Sequence, residues 1–144
     1  MAQSDRLTPV RRVAESRERD AANAYGTAQR ALRDQETKLE QLRQFHQEYQ
    51  GRFDSACRAG LSVGELREYQ AFLARLQQAV AQQKAAVETS RQAHAKTRQH
   101  WQARHVRTQA IGKAIDRFRR EELHDQERRE QKETDEHTQH EQQI

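Results

Sequence analysis

The sequence predicts an all-α fold, a two-helix antiparallel coiled-coil hairpin, on three observations. Helix breakers are almost missing, with five glycines and one proline in 144 residues. Apolar residues recur at alternating steps of three and four along two long segments. One short stretch containing glycine lies between those segments. Composition agrees. Only 33% of residues are hydrophobic, 33% are charged, and mean hydropathy is −1.28. That is too little apolar material for a globular core, but enough for one narrow buried stripe.

The first helix is expected over about 8–57. Thr8 is its candidate cap and Pro9 its first residue, where a missing N–H costs nothing. Its seam runs Ala21, Tyr25, Ala28, Leu32, Gln35, Leu39, Leu42, His46, Tyr49, Phe53, Ala56. Leu7, Val10 and either Val13 or Ala14 extend the seam upstream in a looser register. A turn follows at 58–62. Gly60 supplies the left-handed residue that stops the helix, and Ser62 with Glu65 has capping-box spacing.

The second helix is expected over about 63–122, completing a hairpin domain of residues 1–122. Its seam is Leu66, Tyr69, Leu73, Leu76, Val80, Gln83, Val87, Ser90, His94, Thr97, Trp101, Arg104, Thr108, Ile111, Ile115, Phe118. A turn near residue 60 sets Gln35 level with Gln83, a polar layer of the kind that fixes register at some loss of stability. His46 and His94 read as tolerated seam residues. Ile111 and Ile115 reach Val10 and Leu7, whereas Phe118 and everything beyond it overhang the first helix. Residues 123–144 form an acidic, polar tail with only Leu123 and Ile144 as large apolar residues, expected to be frayed or disordered.

Charge is segregated. The net charge of +4 combines a basic stretch, 98–120, with seven Lys and Arg against one Asp, and an acidic stretch, 121–144, with nine acids against three bases. Cys57 is the single cysteine, which excludes an internal disulfide and suits a reducing cytosol. The polar N-terminus has no apolar leader, and no window has the roughly 18 apolar residues of a membrane span. These features lead to the expectation of a soluble protein that is not exported by a signal peptide.

Catalysis finds little support. The glycines are scattered and form no phosphate loop, and Cys57 has no nearby histidine in sequence. His137 and His140 have ligand-like spacing but no third ligand. A helical hairpin provides no enclosed cavity of the sort enzymes use. The chain is read as a non-enzyme with no metal and no cofactor.

Two features suggest contact sites instead. Phe45 and Phe72 stand one step outside their seams at positions that face each other in an antiparallel pair, with Ala79 one heptad further on. They either widen the core or form an apolar interface patch. At the other end Arg6, Arg11, Arg12, Arg17 and Arg19 share a level with the basic stretch, Trp101 and Phe118. Arginines around apolar residues fit nucleic acid or protein. Glu15, Glu18, Asp20 and the acidic tail oppose phosphate and favour protein.

The order and spacing of several stretches resemble the FliJ family of flagellar type III export. They are Leu42–Tyr49 (LRQFHQEY), the Gly60–Ser62 turn, Tyr69–Leu76 (YQAFLARL), Trp101 and Glu130–Glu136 (EQKETDE). The resemblance covers nearly the whole chain. It implies a stalk-like protein whose open end inserts into the hexameric export ATPase and promotes its assembly and activity. It further implies contact with the membrane export gate and with export chaperones, and hence a peripheral position at the cytoplasmic face of the inner membrane.

On this resemblance Phe72, Leu76, Ala79 and Gln83 match the gate contact, the last standing where such a stripe can carry histidine, and Phe45 joins them through its facing heptad position. The ring contact comprises Leu7, Val10, Arg11, Arg12, Trp101, Ile111, Ile115 and Phe118. The equivalent stalk protein of a virulence secretion system shares this architecture. A basic hairpin that binds nucleic acid, or a purely structural dimerising coiled coil, are readings of another class.

Overall fold

The computed structural model describes residues 2–143. Two helices make up the fold, α1 (Gln3–Ala59) and α2 (Val63–Gln143). They pack as a two-helix hairpin, with no strand among the described residues. The chain divides into two compact units. Unit 1 contains Met1–Ala21 and His100–Ile144, and unit 2 contains Ala22–Gln99.

Unit 2 holds the turn. Gly60 adopts φ 98°, and its N–H donates to the Cys57 carbonyl at 3.3 Å, closing α1. Ser62 then caps α2. Its hydroxyl accepts the Glu65 N–H at 3.2 Å, and its carbonyl accepts the Leu66 N–H at 3.0 Å. A Cβ at residue 60 would meet no atom within 4 Å, so the cost of Gly60→Ala lies wholly in its backbone conformation. That variant is expected to lose about 1 kcal/mol in a urea melt, the penalty for a left-handed non-glycine residue.

The seam of unit 2 follows the heptads. Every seam position named above from Ala21 to Val87 is buried or half-buried. Leu39, Leu73, Leu76 and Val87 are its most enclosed aliphatic residues. The expected polar layer is present. Gln83 Nε2 donates to the Gln35 side-chain oxygen at 2.7 Å and to the Gln35 carbonyl at 2.9 Å. His94 sits with its ring centroid 5.0 Å from that of Tyr25. The Nε2 atoms of His94 and His46 are both enclosed without a hydrogen-bond partner.

Unit 1 departs from expectation at three places. First, α1 begins at Gln3, so Pro9 lies inside the helix and Thr8 is no cap. The Thr8 hydroxyl instead donates to the Ser4 carbonyl at 3.1 Å. An internal proline costs roughly 3 kcal/mol, and the first turn persists because Ser4 is anchored to α2, as described below.

Second, the seam upstream of Ala21 does not run through the valines. Val10 and Val13 are 41% and 51% exposed. Among the buried and half-buried positions, Ser4, Leu7, Arg11, Ala14, Glu18 and Ala21 continue the three-four alternation without a break, with Thr8 and Glu15 half-buried beside them. Three of these six are polar or charged, and hydropathy alone conceals them.

Third, α2 remains helical to Gln143, beyond the end expected near 122, and Phe118 is half-buried and does not overhang. The earlier start of α1 covers Phe118. The Glu, Gln, Arg and Lys of the tail are strong helix formers. Side-chain hydrogen bonds one turn apart, Gln126 to Glu130 and Gln131 to Asp135, add local support. All residues from 123 to 142 are exposed. A helix end with no tertiary packing is the part of a fold that opens first, which is the physical content of fraying. Ile144 lies outside the described residues.

Candidate functional site

The candidate gate residues all belong to unit 2 and the candidate ring residues all belong to unit 1. In unit 2 the facing aromatic positions do meet. Phe45 and Phe72 make an edge-on contact with ring centroids 6.2 Å apart. Phe72 also packs on Tyr49 at 4.3 Å, and the chain of rings continues from Tyr49 to Tyr69 and from Tyr69 to Phe53. Phe72 is therefore half-buried, whereas Phe45 is 44% exposed. Of the remaining residues Ala79 is half-buried, Leu76 points into the seam, and Gln83 is engaged by Gln35. Lys38, Gln41, Leu42, Phe45 and Gln83 line a shallow groove on this face.

In unit 1 the candidate residues divide by accessibility. Val10 and Arg12 are exposed, and Leu7, Arg11, Trp101, Ile111 and Phe118 are half-buried. Ile115 is 0% exposed. Arg11 bonds to Glu15 at 3.1 Å, and the Arg117 guanidinium lies 5.5 Å from the centre of the Phe118 ring. Val10, Val13, Ala14, Arg17 and Arg107 line an apolar groove edged by the two guanidinium groups.

Two cross-helix links in unit 1 escaped the reading of the sequence. The Ser4 N–H donates to Glu122 Oε1 at 3.1 Å, and its hydroxyl donates to Oε2 at 2.7 Å. A carboxylate from α2 thereby satisfies an unpaired donor at the N-terminus of α1, where the helix dipole favours negative charge. Farther along, His105 Nδ1 lies 2.5 Å from Glu18 Oε1, and the Trp101 ring stacks on His105 at 5.2 Å. Both links start from polar residues at heptad positions, so the signal lay in their spacing.

Both carboxyls titrate below their ordinary value of 4.5. For Glu122 the cause is the Ser4 hydroxyl and then the Ser4 N–H. For Glu18 it is chiefly the hydrogen bond to His105. A carboxylate with a depressed folded pKa contributes stability above its unfolded value, and that contribution disappears as pH falls through the folded value. Ser4→Ala is therefore expected to lower the thermal midpoint at neutral pH. The gap between variant and wild type should close as pH drops below 4.5, read by circular dichroism. A gap that persists in acid would show that Ser4 acts by packing alone.

Among the described residues no group of three or more His, Cys, Asp or Glu is placed to hold a metal ion, and no helix is long and apolar enough to cross a membrane. The grooves are open surfaces of a helix pair, suited to binding another macromolecule and not to enclosing a small substrate. Neither the curated proteins nor the solved structures contain a match to the chain. The family model described as "Flagellar FliJ protein" matches residues 3–143, the whole of both helices. The helical hairpin and that full-length match together show that the chain belongs to the FliJ family, whose members are non-enzymatic components of flagellar type III export.

Proposed function

We propose that this protein is the stalk subunit of the flagellar export machinery. Unit 1 enters the hexameric ring of the export ATPase and promotes its assembly and activity. Unit 2 meets the cytoplasmic domain of the membrane export gate, and export chaperones are further partners. The protein works at the cytoplasmic face of the inner membrane by contact, without a catalytic step of its own.

Family membership over residues 3–143 is the observation that carries this reading. Segregation of the two candidate residue sets into separate units supports it. Within each set the accessible side chains supply the contact, Val10 and Arg12 for the ring and Phe45 for the gate. The enclosed ones, Ile115 and Leu76, hold the helices that present them.

The test is the hydrolysis rate of the cognate export ATPase with and without the full chain. The chain should stimulate hydrolysis, and Val10→Asp with Arg12→Glu should remove most of that stimulation without changing helicity. Phe45→Ala should leave stimulation intact and weaken capture of the gate domain. Absence of both stimulation and co-assembly would eliminate the ATPase as a partner.

A further inference from the structure

Apart from the attraction of Arg119 for Glu122, the charge reversal in α2 is left without a complement in its own molecule. From Arg104 to Arg120 the helix carries six Lys and Arg against Asp116, a balance of +5. From Glu121 onward nine acids stand against three bases, a balance of −6. The two segments adjoin in one uninterrupted helix, with no proline and no glycine after Gly112. A continuous helix cannot fold its acidic half back onto its basic half.

Nor does α1 supply the missing partners. None of the six bases takes part in an ion pair among the described residues. Of the acids of α1 at this level, Glu15 is committed to Arg11 and Glu18 to His105, and the exposed Asp5 and Asp20 form no ion pair with the six bases and are outnumbered by Arg6, Arg11, Arg12, Arg17 and Arg19 on the same helix. In the acidic segment Glu122 is held by Ser4 and Glu141 by His137, and every other acid is exposed. Within unit 1, two large apolar side chains of α2 stand open, Val106 at 62% and Leu123 at 57% exposure.

We infer that unit 1 pairs with unit 1 of a second copy of this chain, the acidic segment of each molecule lying along the basic segment of the other. An antiparallel arrangement about a two-fold axis near residue 120 makes both contacts at once. It is self-complementary, as a closed two-fold interface must be. The tail is helical but unpacked, so docking must also hold a helix that otherwise frays, which weakens the pairing. The interface is polar and its apolar content is small, so pairing is weak and controlled by charge. It also covers the arginine-rich face opened to a partner in the reading above, although the inference does not depend on that reading. A phosphate-bearing polymer is a poorer complement, because it would match the basic segment and be repelled by the acidic one.

Sedimentation velocity of the full chain over a range of protein concentrations tests the pairing. A monomer–dimer equilibrium is expected at about 0.05 M salt, with the dissociation constant rising at least tenfold at about 0.5 M as screening shortens. Two exposed triple variants should each be monomeric at low salt, with helicity retained. One is Lys113→Glu, Arg119→Glu, Arg120→Glu, and the other is Glu127→Lys, Glu130→Lys, Glu133→Lys.

Mixed together, these two variants are expected to form a one-to-one heterodimer, since a helix of net charge −7 over residues 104–144 then meets one of net charge +5. A monomer at every concentration and salt would overturn the inference. So would a dimer indifferent to salt and to both reversals, or growth into open-ended oligomers. Failure of the mixture to associate would overturn it as well, and a gain in nucleic-acid binding by the basic variant alone would not rescue it.

Discussion

Replacing Ile115 with alanine is expected to cost about 2–4 kcal/mol, the range for deleting a buried aliphatic side chain that leaves a partly collapsed cavity. Ile115 is the one large side chain completely shielded from water among the described residues. The bonds from Ser4 to Glu122 and from Glu18 to His105 fix the local register. They set Ile115 level with the turn of α1 between Leu7 and Arg11. Its layer is flanked on α2 by the half-buried Ile111 and Phe118, one turn to either side. The neighbouring α1 layers offer Ser4, Arg11 and Glu18, none of which contributes much apolar area. Ile115 thus supplies an unusually large share of the hydrophobic attraction in unit 1.

Hydrogen exchange followed by mass spectrometry should localise the damage to residues 3–21 and 100–122, leaving the turn region of unit 2 protected. The controls are equally specific. Val106→Ala and Leu123→Ala, at residues 62% and 57% exposed, should each change stability by no more than about 0.5 kcal/mol. Equal losses at all three positions would mean that helix propensity, not burial, holds this part of the chain together.

The contrast between Ile115 and Val10 shows how far the sequence could be read. Where seam positions carry Leu, Val, Tyr or Phe, as from Ala21 to Val87, the alternation of three and four located the buried face residue by residue. The helix-helix register and the meeting of Phe45 with Phe72 followed from the position of Gly60 and simple geometry. Upstream of Ala21 the same alternation continues through Ser4, Arg11 and Glu18, but their polarity hides it, and the valines at 10 and 13 draw attention to the wrong face. Arg11 is held within α1 by Glu15, whereas the burial of Ser4 and Glu18 is stabilised by partners on α2. Glu122 and His105 satisfy Ser4 and Glu18, and no single-helix pattern contains that information. The start of α1 was misplaced for the same reason. Local rules put Pro9 at a helix terminus, whereas a cross-helix cap carries the helix one and a half turns past it.

The candidate contact residues follow a similar logic. Phe45 and Phe72 were legible as facing residues one step outside their seams, but which of the two stays exposed depends on the rings of Tyr49 and Tyr69 that enclose Phe72 and was not. Leu76 lies in the seam, so its place in a contact list came from resemblance and not from geometry.

The second large effect concerns the polar layer of unit 2. Gln83→Leu alone should destabilise the protein by about 1–3 kcal/mol, because the Gln35 side-chain oxygen is left desolvated without its donor. Changing Gln35 and Gln83 together to leucine removes both needs and extends the aliphatic seam. The double variant is expected to equal or exceed wild-type stability in urea.

The gain should come with a loss of definition. The two bonds at 2.7 and 2.9 Å can form at one alignment only, and the layers around them, Leu32, Leu39, Val80 and Val87, are interchangeable aliphatic residues. A heptad slip would keep such layers packed but would break the glutamine pair, so that pair discriminates between alignments that hydrophobicity treats as nearly equal. Disulfide trapping between cysteines placed at exposed positions on α1 and α2 reads this directly. The wild type should cross-link at one pairing, and the double leucine variant at that pairing and one a heptad away. A double variant that is more stable and still cross-links at a single pairing would transfer the control of register to the Gly60 turn and to the aromatic contacts of Phe45, Tyr49 and Phe72.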